Sequence, residues 1–195
     1  MPCTFGAIRR STRTGFTMIE IVIVLSVVGV LALFAIPNFD LSRFRVNSAM
    51  QGISSTLMAA QRQAVTRQHD IVVTFDVTGN AMFILDDADN DGAASAGERQ
   101  RRVPLGETIV FGRGAAPAFG LGAATVTFTK TIGGRPAVIF HRGGSASESG
   151  GFYLTTQEAV NTGGRLADTR ALEIERSTGR VSWYRYTGTA WERGF

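Results

Sequence analysis

The pattern of apolar and polar positions changes twice along the chain. Residues 16–36 are almost unbroken apolar sequence. As a helix that run is roughly 31 Å long, about the thickness of a bilayer core. After Pro37 the pattern becomes amphipathic. Val46, Met50, Ile53, Leu57, Ala60 and Ala64 follow at steps of three and four, which is one face of a helix, while Arg43, Arg45, Gln51, Gln61, Arg62 and Arg67 fill other positions. This predicts a helix reaching about Gln68, kinked or broken at Pro37. Its apolar stripe needs a surface to cover. Beyond Gln68 the chain alternates with period two, and strands are expected over 71–77, 82–85, 125–129, 137–140, 152–155, 171–175 and 180–186. Thr78-Gly79-Asn80 and Ser177-Thr178-Gly179 supply turns for two hairpins. Nineteen of the 23 glycines lie at or after Gly79. The pairs Gly133-Gly134, Gly143-Gly144, Gly150-Gly151 and Gly163-Gly164 are read as loops between short strands. The expected fold class is α+β, a long N-terminal helix on an antiparallel sheet.

Composition changes this picture mainly at the N-terminus. The 195 residues are 44% hydrophobic, enough apolar material to build a core. One cysteine, Cys3, excludes an intramolecular disulfide and Cys-based zinc sites, and His69 and His141 are the only histidines. The formal charge is +4, carried by nineteen arginines and one lysine, Lys130. Arg9, Arg10 and Arg13 precede the apolar run with no acidic residue among them. Basic residues on that side orient the N-terminus toward the cytoplasm. No Ala-x-Ala-like site follows the run, so the apolar segment is expected to be retained. Glu20 is out of place in a plain anchor, because a carboxylate at the bilayer centre costs about 2.5 kcal/mol or more.

The string Gly15-Phe16-Thr17-Met18-Ile19-Glu20 resembles the cleavage site of type IV prepilins and pseudopilins. Gly29 and Pro37 sit where pilin stems commonly carry glycine and proline. Met18 and Ile21 stand where leucine is commoner. The resemblance implies that a prepilin peptidase cuts after Gly15 and methylates the new N-terminus, Phe16. It also implies that Glu20 pairs with the terminal amine of a neighbouring subunit during assembly. An unpaired charge in an apolar bundle is costly and a paired one sets register, which is the physical sense of that role. The implied organisation is a leader at 1–15, a transmembrane stem at 16–37 and a periplasmic head at 38–195. Removing the leader's three arginines lowers the net charge from +4 to +1. The order of stem, amphipathic helix and antiparallel strands resembles the GspH/FimT pseudopilins. That resemblance is carried by residues 59–65, the hairpin at 71–85, Gly97-Glu98, Val138-Ile139-Phe140 and the 171–186 hairpin closing on Gly179-Arg180-Val181. Such proteins are non-enzymatic minor subunits, anchored by a single pass in the bacterial inner membrane and placed at the filament tip after assembly. Their partners are other major and minor pilins or pseudopilins. Type IV pilus and type II secretion pseudopilus both fit.

Three further constellations bear on function. Asp87, Asp89, Asp91 and Gly92, with Glu98, fit the D-x-D-x-D-G-x5-E spacing of a calcium loop, in which alternate oxygens converge and the last Glu binds bidentately. A strand before the loop and Ala94 within it depart from an EF-hand, and a solvated hairpin turn is the other reading. Some FimT-like pilins take up DNA through a basic C-terminal Gly-Arg-x-Arg pattern. Here Gly179-Arg180-Val181-Ser182 lacks the second arginine. Arg180 and Arg185, with Trp183, Tyr184 and Tyr186, offer basic and aromatic groups to a strand. An ordinary amphipathic hairpin is the alternative. His141 lies near Ser145, Ser147 and Glu148, but no G-x-S-x-G elbow exists and no enzyme is expected.

Overall fold

The computed structural model describes residues 15–35 and 41–194. The leader arginines, Cys3 and the expected break at Pro37 lie outside the described residues. The chain divides into two compact units, Met1–Asp40 and Leu41–Phe195, so the expected stem–head boundary at 37/38 falls three residues earlier than this division.

In the first unit, helix α1 spans Met18–Ala35. Its described side chains are exposed on every face, Ile19, Val22, Leu25, Val28 and Leu31 among them. A helix apolar all round is built for an apolar surrounding rather than for one side of a core. Eighteen residues give about 27 Å of helix. Among the described residues no helix is long and apolar enough to cross a membrane.

The second unit is helix α2 (Leu41–Arg67) packed on two antiparallel sheets. The first sheet contains β1 (Asp70–Asp76), β2 (Ala81–Asp87), β3 (Arg99–Pro104), β5 (Thr131–Ile132) and β6 (Arg135–Phe140), in the order β3-β2-β1-β6-β5. The second contains β4 (Ile109–Phe111), β7 (Gly150–Thr156), β8 (Arg170–Ile174), β9 (Val181–Tyr186) and β10 (Trp191–Arg193), in the order β10-β9-β8-β7-β4. Short helix α3 (Gln157–Thr162) and a 3-10 turn (Leu166–Asp168) link β7 to β8. The predicted stripe of α2 is buried at all six positions. It shares one core with Val73 and Phe75 of the first sheet and Phe152 and Leu172 of the second. Phe75 bridges the sheets, stacked on Phe128 at 5.3 Å and tilted against Phe152 at 5.1 Å between ring centroids. Such aromatic pairs add roughly 0.5–1.5 kcal/mol to the area they bury.

Several expectations need correction. The predicted strand at 125–129 is a single bridge, Val126 to Phe152. The β7 edge it runs along is already held by β4 at Leu154, Thr155 and Thr156, so little ladder remains. The segment still bonds β7 through Thr127 N–H to Gly151 O (2.9 Å) and Tyr153 N–H to Thr125 O (3.0 Å), and Glu148 holds its far end, the carboxylate accepting from Thr129 N–H, Thr129 Oγ1 and Lys130 N–H. Burial opposes the charge on Glu148, but those donors prevail and its pKa lies below the usual value. Gly150-Gly151 is not a loop but the start of β7, which is buried along its length. A Cβ on Gly151 would lie 1.9 Å from the Leu172 carbonyl oxygen, so neighbouring backbone occupies the space. Gly133-Gly134 is a turn as expected, with both φ angles positive in the two-residue connection from β5 to β6. Strands β3, β4, β5 and β10 escaped the periodicity reading. Arg99–Pro104 is largely exposed on both faces and so shows no apolar alternation.

Candidate functional site

At the start of α1, two side chains cap the helix reciprocally. The Glu20 N–H donates to Thr17 Oγ1 (3.3 Å) and the Thr17 N–H donates to the Glu20 carboxylate (3.4 Å). This is a capping box, which satisfies two backbone donors that a helix start leaves open. Thr-x-x-Glu before an apolar run was the available signal for it. The carboxylate is also favoured by the positive end of the helix dipole. Glu20 therefore has a local partner in the single chain, in addition to any partner in an assembly. Gly15 and Phe16 precede the helix, and Phe16 is 78% exposed, so the Gly15–Phe16 bond lies in an open segment.

The acidic loop connects β2 to β3, with Asp87 as the last residue of β2 and Glu98 immediately before β3. It is flanked by strands, not helices. Carboxylate oxygens of Asp87, Asp89 and Asp91 come within 4.8 Å of one another. Asp87 is buried and accepts from the N–H groups of Asp91 (3.1 Å) and Gly92 (3.0 Å). Burial pushes its pKa up despite those two bonds, and the charges of Glu98 and Asp89 push the same way. Glu98 stands outside the converging group. Its carboxylate accepts from Ser95 N–H (2.9 Å) and Ala88 N–H (2.7 Å). The Ser95 bond chiefly holds its pKa below the usual value. Three of the four residues expected at a calcium site are thus brought together, and the fourth closes the loop.

The two arginines singled out near the C-terminus are not brought together. Arg185 shares the side of β9 with Val181 and Trp183, and it pairs with Glu192 across to β10 at 2.8 Å. Arg180 lines a shallow surface on the other side with Ser182, Tyr184 and Arg193, in the company of Glu173 and Glu175. The aromatic rings near them are engaged in the fold. Trp183 belongs to the core, Tyr184 packs on Phe119 at 4.2 Å, and Tyr186 packs on Trp191 at 5.3 Å. No common face presents the arginines and free rings to a nucleic-acid strand.

His141 Nδ1 lies 2.8 Å from the Asp70 carboxylate, and His69 Nε2 contacts Asp86, which also receives Arg67. Among the described residues no serine hydroxyl bonds the second ring nitrogen of His141.

Residues 10–36 match the family model described as the prokaryotic N-terminal methylation motif. The match includes Gly15, Phe16 and Glu20 and ends before α2, so it concerns the first unit alone. The segment carries a type IV pilin-like prepilin signal. No curated protein and no solved structure matches the chain.

Proposed function

We propose that this chain is a minor pilin or pseudopilin of the GspH/FimT type, a non-enzymatic subunit that helps initiate or cap a type IV pilus or a type II secretion pseudopilus. The observation that carries the reading is the methylation motif over residues 10–36, coinciding with a helix that is apolar on every face. The α+β head, with α2 on antiparallel sheets, supports the subfamily. In this reading residues 1–15 are removed by a prepilin peptidase and residues 16–37 hold the chain in the bacterial inner membrane by a single pass. Residues 38–195 form the periplasmic head, which reaches the filament tip after assembly. Apolar packing of stems supplies adhesion. Glu20 supplies register by meeting the amine of Phe16 on a neighbouring subunit, because burying either charge alone in the bundle is costly. Crosslinking in membranes tests this. The chain should give adducts with other pilins, and Glu20→Ala should reduce them about tenfold while the head's unfolding midpoint stays unchanged. Equal adduct yields from both proteins would overturn the role given to Glu20.

A second reading concerns the acidic loop. Three carboxylates crowded within 4.8 Å repel one another, and a calcium ion would relieve that repulsion. Asp87, Asp89 and Asp91 would hold it, and Glu98 would complete the set only by giving up its two backbone bonds. Millimolar calcium should then raise the melting temperature of the full chain, and the rise should vanish in Asp89→Asn/Asp91→Asn. An unchanged wild-type melting temperature leaves the loop as a solvated turn.

A further inference from the structure

The groove between α2 and the edge strand β3 carries a feature that neither reading uses. It is lined by Ala59 and Arg67 from α2 and by Ile84, Asp86, Arg99 and Arg101 from the sheet, Asp86 being the one carboxylate and taken by Arg67 and His69, and encloses about 410 Å³, too little for a folded domain. The side chains of Arg99, Arg101 and Val103 share one face of β3 by strand alternation, and Val103 packs against the core under α2. Arg99 and Arg101 are therefore turned to the groove. Among the described residues neither has a side-chain hydrogen bond or an ion pair, whereas Arg67 is held by Asp86. Their spacing along the strand is about 6.8 Å.

β3 is also an open edge. The Leu105 N–H donates to Asn80 O at 3.1 Å, and the register pairs Met82 with Val103 and Ile84 with Arg101. Alternation then directs the backbone groups of Val103, Arg101 and Arg99 toward β2. Those of Gln100 and Arg102 point outward, and Pro104 has no N–H to offer. Arginines and a proline on an edge deter pairing with a second copy, because like-charged strands repel. The same charges favour a strand of opposite sign.

We propose that β3 accepts an extended acidic segment of another protein as an added strand. Its backbone pairs with Gln100 and Arg102, and carboxylates on alternate residues meet Arg99 and Arg101 at the mouth of the groove. The repeat of such side chains equals that of the two arginines. A nucleic acid fits less well, since it cannot use the backbone edge and no aromatic ring lines the groove for stacking.

The probe is a labelled eight-residue peptide alternating Glu and Thr, read by fluorescence anisotropy against the full chain in neutral detergent. It should bind saturably and more weakly as salt rises, and a Lys/Thr peptide should not bind. Arg99→Glu/Arg101→Glu should weaken binding at least about tenfold. Gln100→Pro should weaken it similarly with all charges kept. A Glu/Thr peptide N-methylated at alternate residues tests the same backbone pairing without altering the protein. No saturable signal up to about 1 mM peptide overturns the proposal. So does full binding of both N-methylated registers, or displacement of the peptide by an oligothymidylate at lower concentration.

Discussion

Coexpressed with a prepilin peptidase, the wild-type chain is expected to lose residues 1–15, and Gly15→Ala to remain uncut. The resemblance that implies cleavage centres on Gly15-Phe16, and the methylation motif covers both residues. The physical side of the expectation lies in where the bond sits. Residues 15–17 are not helical, and α1 begins at Met18 under the cap formed by Thr17 and Glu20. A peptidase needs an extended, reachable backbone, and the cap places the start of the helix just beyond the bond. A methyl group on residue 15 obstructs a site shaped for glycine without disturbing α1, because nothing lies within 4 Å of a Cβ built there. Intact mass measurement reads both outcomes. The processed form should also carry one methyl group on the amine of Phe16. If Gly15→Ala is cut as fast as wild type, Gly15 does not define the site. If neither chain is cut, the pilin reading fails.

The second large effect is expected at Asp168. Its carboxylate is buried in the 3-10 turn between α3 and β8. It accepts from Ser42 Oγ (2.9 Å) and Arg165 Nε (2.8 Å), with Arg43 at 3.9 Å. Two residues on, Arg170 is equally buried and donates to Asn47 Oδ1 (2.8 Å) and to the carbonyls of Ala167 and Thr169. Burial lowers the pKa of Arg170 to about 10, with Asp168 opposing that shift. Together these groups fasten the first turns of α2 to the second sheet. Asp168→Ala removes the negative charge beside the buried Arg170 guanidinium and releases the exposed Arg165 and Arg43. Losing the hydrogen bonds to this buried carboxylate, whose arginine partners are partly solvated, costs about 1.5–3 kcal/mol. Ser42→Ala removes the bond to Asp168 and the one Ser42 Oγ accepts from Arg165, and should cost about 1–2 kcal/mol. Urea unfolding followed by circular dichroism measures both, and the midpoint should fall while the slope stays constant. A loss below about 1 kcal/mol for Asp168→Ala would mean that apolar packing alone holds α2.

Much of the architecture was legible because α2 buries one face and the central strands are short apolar runs bounded by turn residues. Val46, Met50, Ile53, Leu57, Ala60 and Ala64 are spaced for a helix, and all six are core residues. Edge elements were not legible. Arg99–Pro104 is a strand only because β2 offers it a ladder, and its polar side chains carry no period-two signal. Residues 125–129 erred the other way. Their alternation is real, since Phe128 packs on Phe75, but the edge they need is shared with β4. At the candidate sites, the convergence of Asp87, Asp89 and Asp91 followed from loop spacing, but the inward turn of Glu98 to Ala88 and Ser95 did not.

Local sequence alone determined the N-terminal motif, the apolar run behind it and the amphipathic half that follows. These depend on contiguous residues and on periods of 3.6 and 2, which a chain carries whatever its partners. Only the tertiary structure decided which charges remain available. Arg185 is taken by Glu192, and Arg67 and His69 share Asp86, all partners set by strand register rather than by spacing. Arg99 and Arg101 face an open groove because α2 lies over the centre of the core and stops short of the edge. Charge count is additive along a sequence, whereas free charge is what remains after folding has paired neighbours in space.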